Sequence, residues 1–229
     1  MRGLFITGVN TEVGKTYVTA MIAKTLAAAG VRVGVYKPAA SGCELRDHGL
    51  VSEDAEILWN AAGKPLSLEA VCPQCFQAPL APHVAARAEC RELSPALLRS
   101  GLEAWKDFEV VLVEGAGGLM SPMGDEDYVA DLAEEFGFPL IVVAPNTLGV
   151  INQTLQTLIT AAAFREGLPV AGVVLNDVVE MGDLSAESNR QELEARCVPP
   201  ILAHVKYGAE RFEEAIDWKS LCGSPNKPT

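Results

Sequence analysis

Residues 8–16 read GVNTEVGKT, directly after the apolar run Leu4-Phe5-Ile6 and before a helical stretch from Tyr17 to Ala29. A strand, a glycine-bearing loop and a helix in that order make a P-loop, where backbone N–H groups and a helix N-terminus face a polyphosphate. Glu12, Val13, Gly14, Lys15, Thr16 and Tyr17 form the expected nucleotide cradle. Lys15 is positioned for the β- and γ-phosphates, and the Thr16 hydroxyl for Mg²⁺. A lysine in the first turn of a helix is unfavourable without an anion, which argues against an ordinary strand–helix turn. Five residues rather than four separate Gly8 from Gly14, so the loop is a variant.

Further candidates sit at the ends of other apolar runs. Residues 109–113 lead into Glu114, then Gly115, Ala116, Gly117 and Gly118. A carboxylate followed by glycines is a Walker-B-like position, with Gly117 allowing close approach of a nucleotide. Residues 32–37 end on Lys37, followed by Ser41, where a cation meets phosphoryl or carboxyl oxygens. Asp54 lies at the start of a helical stretch over 53–61, as a helix cap or a metal ligand.

Short apolar runs at 3–8, 32–37, 109–113, 139–144 and 170–175 alternate with helical patterns at 15–29, 95–106, 128–136 and 150–166. Continuous β-branched runs are expected of parallel strands covered on both faces. The pattern predicts an α/β, P-loop NTPase-like fold, with a mostly parallel central sheet and helices on both faces. Ligands then gather at the carboxyl ends of the strands. Residues 1–222 read as one domain and 223–229 as a flexible C-terminal tail, with helical patterns at 184–196 and 208–217. Glycines and prolines break every pattern across 40–92, as in a functional insertion.

The chain has 229 residues, 49% of them hydrophobic, and a net charge of −12. That charge disfavours nucleic acid and anionic membranes as partners. No apolar stretch reaches the roughly 20 residues of a membrane span. Six scattered cysteines point to reduced thiols and a cytoplasmic location. Cys72-Pro73-Gln74-Cys75 has metal or redox spacing but no second half to complete a zinc site, so it reads as free thiols in a loop.

The ordered set GVNTEVGKT (8–16), YKPAASG (36–42), SEDA (52–55), Ala81-Pro82-His83, VEGAGG (113–118), Leu148 to Asn152 and Asn176-Asp177-Val178 resembles the dethiobiotin synthetases. The five-residue P-loop spacing is that family's form. The resemblance implies ATP- and Mg²⁺-dependent conversion of 7,8-diaminononanoate and CO₂ to dethiobiotin, through a carbamate and a carbamic–phosphoric anhydride. It implies catalytic roles for Lys37 and Lys15, with Thr16, Asp54 and Glu114 holding Mg²⁺. Thr11 and Ser41 are implied at the carbamate or diamine end, and Asn176 at adenine. Gly149, Val150, Ile151 and Asn152 are implied to grip the substrate carboxylate from a partner subunit, making the unit a homodimer. Asn10, Ala81 and the segment Ala203–Lys206 depart from the family pattern. Asn10, where partitioning and cell-division ATPases carry a lysine, and the absence of a basic amphipathic pattern over 223–229 speak against a regulatory ATPase.

Overall fold

A computed structural model describes residues 1–47 and 49–224. Among the described residues the strands are β1 (Arg2–Gly8), β2 (Val33–Tyr36), β3 (Glu44–Arg46), β4 (Gly49–Val51), β5 (Val110–Gly118), β6 (Leu140–Pro145), β7 (Val170–Asn176) and β8 (Ile201–Val205). The helices are α1 (Lys15–Ala28), α2 (Glu53–Ala61), α3 (Leu68–Val71), α4 (Pro82–Ala88), α5 (Pro95–Ser100), α6 (Val129–Phe136), α7 (Val150–Ala163), α8 (Ala186–Glu194) and α9 (Trp218–Leu221).

Six strands form one sheet in the order β2-β5-β1-β6-β7-β8, and every neighbouring pair is parallel. The expected α/β architecture is present. Its core strands are apolar on both faces because helices cover both. Val110 to Val113 and Leu140 to Val143 are all fully buried. The parallel arrangement brings the carboxyl ends of β1, β2, β5 and β7 to one edge. Ile6 pairs with Glu114 and Gly8 with Gly118, while Tyr36 pairs with Val113. Lys37, one residue past Tyr36, therefore arrives beside Glu114.

Local signals set several boundaries. Helix α1 ends in a Schellman motif: Gly30 is left-handed at φ 79°. Its N–H donates to Ala27 C=O (2.9 Å), and Val31 N–H donates to Leu26 C=O (3.1 Å). Ser94 and Ser52 cap α5 and α2 by accepting from Leu97 N–H and Ala55 N–H, each at 3.2 Å. The stretch expected as a helix over 95–106 stops at Ser100 and continues as a 3₁₀ turn, Gly101–Trp105. Gly101 lies so near Tyr36 that a Cβ there would sit 2.3 Å from the phenol oxygen.

Four expectations change. The helical pattern at 208–217 is not a helix; Phe212 instead stacks on buried Trp218 with ring centroids 4.9 Å apart. Asp217 caps α9 through Ser220 N–H (3.1 Å), so the helix starts after the predicted one would have ended. Strand β8 was not anticipated: it is short, and His204 interrupts its apolar run. The insertion holds the β3–β4 hairpin, α3 and α4 besides the expected α2. Gly223, placed in a flexible tail by its composition, exchanges two backbone hydrogen bonds with Gly3 (2.8 and 3.1 Å). Residues 225–229 of that tail lie outside the described residues. Among the described residues no helix is long and apolar enough to cross a membrane.

Strand β5 lies between β2 and β1, and Leu112 at its centre is fully buried. Leu112→Ala is expected to cost about 2–5 kcal/mol through lost burial and an unfilled cavity. Urea unfolding followed by circular dichroism checks this as a lowered midpoint with unchanged slope.

Candidate active site

The loop joining β1 to α1 wraps into a cradle because two residues take left-handed backbone conformations, Gly14 at φ 88° and Glu12 at φ 59°. Gly14 is required for space as well: a Cβ there would lie 2.1 Å from Asn176 Nδ2. Lys15 is buried at the start of α1, and its ammonium reaches back to Asn10 C=O at 3.4 Å. Thr16 donates its hydroxyl to Glu114 Oε1 (2.8 Å).

Lys37 stands between two carboxylates, 2.6 Å from Glu114 Oε1 and 2.8 Å from Asp54 Oδ2. It is only 4% exposed. Burial opposes its charge, but Glu114 and Asp54 outweigh burial and hold the ammonium well above its ordinary pKa. Burial likewise works against the Asp54 carboxylate, yet Lys37 and the Thr16 hydroxyl hold its pKa below the usual range. Lys15 is different. Burial pulls its pKa down, Lys37 adds to that, and Glu114 and Asp54 only partly offset them. The site is a compact group of two cations and two anions, with Lys15 the cation short of a carboxylate contact. Because Ser52 caps α2, Asp54 is free to turn toward Lys37 rather than cap the helix.

Lys15, Lys37 and Asp54 line one cavity of about 380 Å³, with Glu114 buried against Lys37. Its lining includes Thr11, Glu12, Gly14, Lys15 and Thr16 from the loop and the start of α1, and Lys37, Ser41, Asp54 and Gly117 from the neighbouring segments. Val13 is buried beneath it. A second cavity of about 420 Å³ adjoins the loop, lined by Glu12, Gly14, Tyr17 and Asn176 together with Asp177, Val178, Tyr207 and Gly208. Asn176 closes its floor: Nδ2 donates to Val13 C=O (3.1 Å), while the buried Oδ1 has no partner. The Tyr17 hydroxyl donates to Ala209 C=O and ties this rim to α1. No motif in the sequence marks Tyr207 and Gly208 as lining residues. Their Tyr-Gly pair follows a strand too short and interrupted to be seen in the sequence.

Gly149 to Asn152 do not line the Lys15–Lys37 cavity of their own chain. Gly149 caps α7 at φ 95°, leaving the helix N-terminus facing outward beside the exposed Leu148. Val150 is the inward-facing member of this segment. Its side chain is fully buried against Val142 and Ala144, and its N–H already donates to Thr147 C=O (3.2 Å). The altered segment Ala203–Lys206 joins a polar network instead. Asp177 Oδ1 receives Asn146 Nδ2 and contacts His204 Nε2, both at 2.7 Å. Ala81 sits at the N-cap of α4 without a side-chain hydrogen bond. A serine there would supply the missing cap.

The donor set suits Mg²⁺, which binds through one or two carboxylates plus substrate phosphates and water. Thr16, Asp54 and Glu114 offer two carboxylates and a hydroxyl around Lys37, Thr16 donating to Glu114 Oε1. Glu114 Oε2 is buried with no partner among the described residues, the state of an acceptor awaiting a cation.

A family model described as an AAA domain matches residues 2–211. The ATP-dependent dethiobiotin synthetase BioD of Rhodopirellula baltica is 44% identical over 214 residues, spanning 88% of this chain and 83% of the relative. That of Bacillus subtilis is 36% identical over 206 residues, spanning 88% and 86%. Among solved structures, the septum site-determining protein MinD complexed with Mg-ADP from Pyrococcus horikoshii aligns with a TM-score of 0.56 at 16% identity. It covers 90% of this chain and 81% of that one. A ParA family ATPase from Chlorobium tepidum aligns at 0.53 and 16%, covering 90% and 83%. At such identities the structural matches speak for a shared P-loop α/β fold alone. The sequence relatives go further, and the chain belongs to the ATP-dependent dethiobiotin synthetase family.

Proposed function

We propose that this protein makes dethiobiotin from 7,8-diaminononanoate, CO₂ and ATP, with the Lys15–Lys37–Asp54–Glu114 cavity as the reaction chamber. The observation that carries the site assignment is the buried Lys37 ammonium held between Glu114 and Asp54 in the cavity that also contains the P-loop. A carbamate is an anion that must attack a more highly charged anion, so the chamber needs fixed positive charge. Lys15, Lys37 and the N–H groups of residues 12–16 supply it without reorganisation during the reaction.

The steps follow from that arrangement. One substrate amine takes up CO₂ as a carbamate, which Thr11 and Ser41 orient by hydrogen bonds. Its oxygen attacks the γ-phosphorus while Lys15 and Lys37 hold the phosphoryl oxygens, giving the mixed anhydride and ADP. The second amine then attacks the carbamoyl carbon, and phosphate departs. Thr16, Asp54 and Glu114 would hold Mg²⁺, whose chemistry there is to neutralise phosphate charge. The unpartnered Oδ1 of Asn176 is suited to accept from the exocyclic amine of adenine. Tyr17, with Tyr207, would wall the base, and Gly117 would let the nucleotide approach closely.

The N-terminus of α7 is exposed and lies outside its own chain's cavity. We assign Gly149, Ile151 and Asn152 to the substrate carboxylate of a second copy, as backbone and side-chain donors at a helix N-terminus. The working unit is then a homodimer of single P-loop domains. All six cysteines are free, which fits a cytoplasmic enzyme.

Incubation with diaminononanoate, bicarbonate, Mg²⁺ and ATP is expected to yield dethiobiotin by mass; ATP hydrolysis indifferent to the diamine defeats the reading. Lys37→Ala is expected to lower kcat by about 10²–10³, with little change in ATP binding. Gly14→Ala, which demands a left-handed alanine against Asn176, should abolish nucleotide binding in a calorimetric titration while the protein remains folded. Glu114→Gln should weaken the Mg²⁺ dependence of ADP affinity; an unchanged dependence removes Glu114 from the metal site.

A further inference from the structure

Cys72 and Cys75 have no part in the chemistry above, yet their sulfurs lie 3.6 Å apart. Both belong to a strip, residues 71–76, that runs beside the loop carrying Lys37 and Ser41. The two segments are laced by backbone hydrogen bonds. Lys37 N–H donates to Val71 C=O (2.8 Å), and Ala40 N–H to Gln74 C=O (2.9 Å). Phe76 N–H donates to Ala40 C=O and Cys43 N–H to Phe76 C=O, both at 2.9 Å. On its far side the strip is anchored by the buried Gln74 amide, which accepts from Ser94 N–H (2.7 Å) and donates to Ser94 C=O (3.1 Å). The backbone at Lys37 and at Ala40 is thus hydrogen-bonded to residues on either side of Cys72, at Val71 and Gln74.

The same turn is reachable from outside. Cys72 and Cys75 line a cavity of about 510 Å³ whose other walls include Ser52, Trp59 and Leu68. That volume is in the range that admits small organic molecules. Ser52 caps α2, so this cavity and the Asp54 side of the reaction chamber share one helix N-terminus.

We propose that Cys72 and Cys75 form a reversible dithiol–disulfide site, oxidised by a low-molecular-weight disulfide, whose closure displaces the 71–76 strip and with it Lys37 and Ser41. Cys75, the more exposed member, attacks one sulfur of the reagent as its thiolate, and the first reagent thiol departs. Cys72 then loses its proton and attacks the Cys75 sulfur of the mixed disulfide, expelling the second reagent thiol. Two protein thiols are oxidised, and one reagent disulfide is reduced to two thiols. Bond formation brings the sulfurs from 3.6 Å to about 2.05 Å. To do so, Cys75 Sγ must leave Cys72 C=O (3.6 Å) and Cys72 Sγ must leave Gln74 C=O (3.7 Å). A contact with Cys43 lowers the Cys75 pKa, but the hydrogen bond to Cys72 and burial outweigh it and push the thiol up to about 12. The protonated thiol therefore predominates over the thiolate, and exchange is slow, as the small thiolate fraction requires.

The effect on turnover rests on the proposed function, whereas the disulfide and its effect on the backbone do not. The full chain is incubated with glutathione disulfide, then examined by peptide mapping, by amide hydrogen exchange and for dethiobiotin formation. A Cys72–Cys75 link is expected, with faster exchange at amides 37–43 and turnover reduced about 10–100-fold, all reversed by dithiothreitol. Cys75→Ser protein should retain its activity under the same oxidant. Modification confined to Cys90 or Cys197, a Cys43–Cys75 link, or a Cys72–Cys75 disulfide with unchanged exchange at 37–43 overturns the proposal. Reduced protein that makes no dethiobiotin defeats the functional reading instead, and mapping with exchange then decides the thiol site alone.

Discussion

The contact between Lys37 and Glu114, 2.6 Å across the ends of two neighbouring parallel strands, is the interaction on which the site depends. Each partner is buried, and a buried charge without its counter-charge is costly. The pair is held because β2 and β5 share a register that sets Tyr36 opposite Val113, so the next residue of each strand projects into the same space. Asp54 completes it from α2, and Thr16 reaches it from α1. Four separate elements thereby meet at one point. The sheet fixes two of them, and the helix caps at Gly14 and Ser52 direct the others.

That arrangement explains how a rigid fold serves a reaction between anions. The chamber carries two cations and two anions with the protein alone, and ligands exploit the imbalance of their contacts. Lys15, the cation short of a carboxylate contact, lines the cavity beside the loop. Glu114 retains one unpartnered oxygen, and Asn176 another in the neighbouring cavity. Unsatisfied buried acceptors are rare because they destabilise the fold. Their placement at the proposed metal and base positions would tie their cost to function. The strip at 71–76 adds a contact that the motifs do not announce: the Lys37 N–H donates to Val71 C=O, in a segment that also holds Cys72 and Cys75.

Much of this was legible in the sequence. The loop at 8–16, the strand-end Lys37 and Glu114, and the alternation of apolar runs with helical patterns led to the observed sheet and cavity. The failures have physical causes. Strand β8 is short and carries His204, so it lacked the continuous apolar signature of its neighbours. Phe212 and Ile216 have helical spacing but pack on the core from turns, with Asp217 capping the helix that follows. Gly223 looked like tail because composition says nothing about a partner strand, here Gly3.

Residue type and local spacing, by themselves, determined the phosphate cradle, the helix caps and the parallel strands. Each depends on groups a few residues apart, and the chain encodes such neighbours directly. Tertiary structure decided that Asp54 pairs with Lys37 rather than capping its helix. It also left Val150 with a buried side chain and an engaged N–H, and set Tyr207 beside the Asn176 cavity. Those outcomes join segments distant in sequence through strand register and helix packing, a constraint that no local pattern of residues records.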